Sequence, residues 1–137
     1  MKVFSLLSVL VWLVIASPAQ ATAGTWQSVA QELDIALNKA GDAYANGDIK
    51  AAKKAVLQAY FGIFESRKME AAMRTALGIR HTYEVESQFG QLRKAIKNGE
   101  NIQTIRNHIT TLNAALSQDA ATLDEARIPA EVFEVNK

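Results

Sequence analysis

From Thr25 onward, apolar side chains return every three or four positions. Val29, Leu33, Leu37, Ala40 and Tyr44 line one face before Asn46-Gly47 interrupts the pattern. That spacing predicts an amphipathic helix. A glycine able to take the left-handed conformation would close it, and Asp48 is placed to N-cap the next helix. The second segment, Asp48 to about Leu77, sets Leu57, Phe61, Phe64, Ala72 and Ala76 on one arc, which Val56, Tyr60 and Ile63 widen. A helix apolar over so much of its circumference is expected to be central. Gly62 and Ser66 are weak helix formers in its middle and predict a kink or short break near Ser66, while Gly78 marks its end.

A third helix is expected from His81-Thr82, either of which could occupy the N-cap. It carries Val85, Phe89, Leu92 and Ile96 and closes at Asn98-Gly99. The fourth runs from about Asn101 with Ile102, Ile105, Ile109, Leu112 and Leu116 as its stripe, continuing toward Leu123. Pro129 forbids simple continuation, so the last residues read as a tail or a strap. Four amphipathic helices on short Gly-containing turns predict an all-α protein, an up-and-down four-helix bundle forming one domain over residues 22–137. No strand-like alternation of useful length competes with that reading.

The first residues follow a different pattern. Lys2 precedes an apolar run from Val3 to Ala16, followed by Ser17-Pro18-Ala19-Gln20-Ala21. This is the layout of a signal peptide over residues 1–21, with cleavage expected after Ala21. The run falls short of the roughly 20 residues of a membrane span, so a retained anchor is the lesser reading. With no cysteine after the run to take a lipid, the mature chain is expected in the periplasm.

Composition narrows the chemistry. The absence of cysteine in the 137 residues excludes disulfides, thiolate zinc sites, iron–sulfur ligation and thiol nucleophiles. The 15 basic and 14 acidic side chains are interspersed, giving no basic stripe for nucleic acid.

The candidate chemistry sits on the second and third helices. On a straight helix Glu65 falls among Phe61, Phe64 and Met69, inside the apolar arc, where an unpaired carboxylate is costly. Either Lys68 pairs with it at the rim or a metal ion or polar partner satisfies it. Glu70 lies on another side with Arg74 as its i+4 partner, so the two acids can share one ion only if the helix breaks near Ser66. Met69 and Met73 read as core rather than as copper ligands. His81 is a capping or hydrogen-bonded histidine, or a ligand near one end of the bundle. Glu86 is spaced to pair with Arg93, Glu84 suits the helix N-terminal dipole, and His108 is expected to be solvated. The chain lacks the metalloprotease, di-iron, catalytic-triad and phosphate-loop motifs, so no enzyme is expected. It also lacks a histidine late in the fourth helix that could pair with a methionine around haem.

Several blocks together resemble a known arrangement: Ala43-Tyr44-Ala45-Asn46-Gly47-Asp48, Ala51-Ala52, Val56, Ala59-Tyr60-Phe61, Phe64-Glu65, Met69-Glu70-Ala71-Ala72 and Val85 through Arg93. Over roughly residues 40–99 the chain resembles the extracytoplasmic N-terminal domain of bacterial Ftr-type high-affinity iron permeases. The resemblance implies a role in iron uptake, with Glu65, Glu70 and Glu86 as the matching carboxylates and a separate membrane permease as partner. The Arg-Glu-x-x-Glu motif of the permease part is missing, so this chain would be a stand-alone accessory. The expected metal residues are Glu65 and Glu70, with Glu86 or His81, and the expected cargo is iron. Carboxylate oxygens suit Fe(III), and carboxylates with imidazole suit Fe(II). The competing expectation is a metal-free helical interaction module, and the apolar width of the second helix would allow a homodimer.

Overall fold

The computed structural model describes residues 25–130. The expected signal peptide over residues 1–21 and residues 131–137 of the tail lie outside them. Within this range the protein is all-helical: α1 (Thr25–Ala45), α2 (Ile49–Ala59), a π-helical turn (Tyr60–Glu65), α3 (Met69–Ala76), α4 (Ile79–Lys97) and α5 (Ile102–Glu125). Five α-helices stand where four were expected, because the second segment breaks in two.

The turn chemistry accounts for most boundaries. Gly47 takes φ 80° after α1, and Asp48 N-caps α2 by accepting the amide of Ala51 at 2.9 Å. Gly99 takes φ 72° after α4, and Asn101 caps α5 through the Thr104 amide at 2.9 Å. Between α3 and α4 the boundary moves. The N-cap is Gly78, at φ 97°, and the helix starts at Ile79, so neither His81 nor Thr82 is the cap.

The core is a single apolar cluster built from the inner face of each helix. Trp26, Leu33 and Leu37 come from α1, Val56 and Ala59 from α2, Met69 and Met73 from α3, Leu92 and Ile96 from α4, and Ile105, Leu112 and Leu116 from α5. Helix α1 packs on α5 and α2, while α4 packs on α5, α2 and α3. Gly41 permits the close approach of α1 to α5. A Cβ there would meet Arg106 Nη1 at 2.8 Å and Ile109 Cδ1 at 2.9 Å.

The two ends of the described chain are joined. The carboxylate of Asp124, late in α5, accepts the backbone amides of Trp26 and Gln27 at 3.0 Å each. It thereby satisfies two donors that a helix start leaves without an intrahelical partner. Trp26 Nε1 donates to the carbonyl of Ile128 at 2.6 Å, and Ile128 and Ala130 pack against the core. The start of the expected strap thus lies over the first turn of α1.

Candidate functional site around the π turn

The break falls where Gly62 and Ser66 weaken the helix. Ser66 Oγ donates to the Gly62 carbonyl at 2.5 Å, Lys68 N donates to Glu65 O at 3.0 Å, and Lys68 adopts a left-handed φ of 64°. Left-handed backbone is costly for a residue with a Cβ, so packing on both sides must hold it. That packing comes from Phe64 and Met69, both fully buried. Before the break, the wider π turn shifts the phase of every side chain after Tyr60. Phe64 turns into the core, while Phe61, expected there, is 58 % exposed.

The same shift corrects the reading of Glu65. A straight helix would have put it inside the apolar arc, whereas the π turn leaves it exposed and without the ion pair to Lys68. Burial therefore no longer demands a partner for it. Glu65 remains close enough for its charge to act on Tyr60 and Glu70.

The carboxylates that meet are Glu70, in the first turn of α3, and Glu86, midway along α4. Their side chains are mostly buried, at 16 % and 15 % exposure. Arg74 Nη2 lies 2.7 Å from Glu70 Oε1 and 2.9 Å from Glu86 Oε1. The expected Glu70–Arg74 pair is present, but Glu86 pairs across to α3 and not with Arg93. Burial, reinforced by the hydrogen bond and charge of Glu86, pushes the Glu70 carboxyl above its ordinary value against the opposing pull of Arg74. The Tyr60 hydroxyl is likewise raised, by burial and then by Glu70, Glu86 and Glu65. The arrangement is an acidic pocket edge whose one bridging cation is a half-exposed side chain. Two hard oxygen donors held together this way suit a hard cation.

His81 stands apart from this pair. Its Nε2 lies 2.8 Å from Asp119 Oδ1 on α5, and its side chain is 44 % exposed. Asp119 is buried, with Oδ2 lacking a hydrogen-bond partner. Burial raises the Asp119 carboxyl, and His81 pulls in the opposite direction. The sequence reading missed Asp119. An acid next to Ala120 on the stripe of Leu116 and Leu123 was the available signal. Glu84 pairs with Arg80 at 3.3 Å, and Met69 and Met73 are core. His108 is half-buried and lines a shallow polar groove with Gln88, Asn107 and Thr111. Among the described residues no three His, Asp or Glu side chains form a ready-made metal ligand set.

Beside the Glu70–Glu86 pair runs a groove of about 170 Å³ between α2 and α4. Tyr60, Phe61 and Phe89 form its aromatic walls, with Gly90, Glu86 and Arg93 along the α4 side. Tyr60 meets Phe61 edge-on at 4.8 Å and Phe89 at 5.3 Å between ring centroids. Among the described residues no helix is long and apolar enough to cross a membrane.

The chain matches no protein-family model, no curated protein and no solved structure.

Proposed function

We propose that the protein is a periplasmic accessory of iron uptake, taking up iron at the Glu70–Glu86 pair and acting beside a separate membrane permease. The observation that carries this reading is the single nitrogen of Arg74 held by both carboxylates. It stands where a bridging cation would bind, on a side chain half open to solvent. Both acids belong to the blocks that resemble the extracytoplasmic domain of Ftr-type permeases, and the π turn lies at the centre of those blocks. Counting α2, the π turn and α3 as one interrupted arm, the all-helical chain is compatible with the four-helix bundle expected from its apolar stripes.

In this reading Glu70 and Glu86 supply two oxygen ligands, and water or a ligand of the partner completes the shell. Glu65 adds charge at the rim without ligating, and His81 serves the contact with Asp119. Iron is the cargo and no chemistry is performed on it. The test is growth under iron limitation of a strain lacking the gene, complemented with the wild type or with Glu70→Gln/Glu86→Gln. Rescue by the wild type alone supports the reading, and equal rescue by both contradicts a role for the pair. The second reading, a metal-free interaction module, draws on exposed Phe61 and the aromatic groove beside it.

A further inference from the structure

The groove between α2 and α4 has a composition the metal reading does not use. Its walls are aromatic, and the π turn leaves Phe61 58 % exposed. Gly90 leaves its side open, since a Cβ there would meet nothing within 4 Å. The α4 edge carries opposite charges. Glu86 belongs to the acidic pair, whose two carboxylates share the one guanidinium of Arg74 and so keep an excess of negative charge, while Arg93 lines the groove with no ion-pair partner among the described residues. Glu86 and Arg93 lie seven positions apart on α4, a rise of about 10 Å.

We propose that this groove docks a segment of a partner protein that presents one bulky apolar side chain, a basic residue toward Glu86 and an acidic residue toward Arg93. The volume, about 170 Å³, suits one large side chain and not a whole helix face. The split charge specifies the flanking residues and sets the direction in which the segment lies. A second copy of this chain docking by the same face would set Glu65, Glu70 and Glu86 near their own copies, which like-charge repulsion opposes. The proposal does not depend on metal binding and concerns metal-free protein.

The test uses protein expressed from the full-length chain, titrated without metal with a short alanine-based helical peptide. The peptide has a central Phe, a Lys one turn before it and an Asp one turn after it. Backbone amide shifts in NMR should move at Phe61, Phe89, Gly90 and Arg93. Affinity should fall about tenfold, or 1.4 kcal/mol, when the peptide's Phe becomes Ala, when its Lys and Asp both become Ala, or when Gly90→Leu fills the groove. Phe61→Ser, on an exposed side chain, is the companion variant and should weaken binding without loss of helicity. Absence of shifts at millimolar peptide overturns the proposal, as do shifts elsewhere on the surface or equal binding by Gly90→Leu. Concentration-dependent shifts at the groove without peptide would assign it instead to a second copy. Failure here leaves iron binding at Glu70 and Glu86 untouched, and failure there leaves this result untouched.

Discussion

Arg74 places Nη2 2.9 Å from Glu86 Oε1, across the gap between α3 and α4. The same nitrogen serves Glu70 one helical turn back, so one guanidinium neutralises two carboxylates. Exposed ion pairs add little to stability by themselves, but removing this one leaves two mostly buried acids facing each other. Arg74→Ala is therefore expected to lower the thermal midpoint and to raise iron affinity severalfold, because the metal no longer competes with a resident cation. Calorimetric titration beside thermal denaturation checks both directions.

Phe64 and Phe61 are three residues apart and lie in opposite environments, 0 % and 58 % exposed. Phe64→Ala should cost about 3–5 kcal/mol of stability. Phe61→Ala should stay within about 1 kcal/mol, as surface changes do. Urea denaturation of both variants separates this arrangement from a continuous helix, in which the two rings would share the core.

That contrast also shows how far the sequence could be read. Helix faces, the Asp48 cap, the start of the last helix near Asn101 and the weak point near Ser66 follow from periodicity and turn residues. The π turn does not. One wider turn leaves the apolar pattern almost unchanged yet rotates Phe61 and Glu65 outward. The error at Glu65 came from applying 100° per residue through a segment that does not obey it. Resemblance singles out Glu86, while its pairing with Arg74 depends on the tertiary packing of α3 against α4, which local spacing cannot express. Asp119 escaped for the same reason, since its partner His81 lies on another helix.

Asp119 should leave a signature in the pH dependence of stability. Its carboxyl is raised in the folded protein above the ordinary 3.8, so the folded state holds this proton at pH values where the unfolded chain has released it. Its contribution is present at low pH and is lost as pH rises from the ordinary value through the folded one. Asp119→Asn cannot titrate and should remove this component. The wild type should lose stability relative to the variant across that window in denaturant melts taken at successive pH values. An unchanged difference between the two would contradict the burial argument.

Gly90 lies inside α4 with open space where a Cβ would be. Gly90→Ala should therefore stabilise the protein by about 0.5–1 kcal/mol. A stabilised variant in a urea melt would show that the glycine is not required by the fold, leaving the groove as the feature it serves.

The proposed cation site is Glu70 and Glu86, with Glu65 at its rim and His81 apart from it. Calorimetric titration with Fe(III) supplied as a soluble citrate complex, and anaerobically with Fe(II), on wild type, Glu70→Gln/Glu86→Gln, Glu65→Gln and His81→Ala, tests it most directly. The account predicts at least about a tenfold loss of affinity, 1.4 kcal/mol, in the double variant and near wild-type binding in the other two. Unaltered binding in the double variant, or loss of binding in His81→Ala, would contradict it.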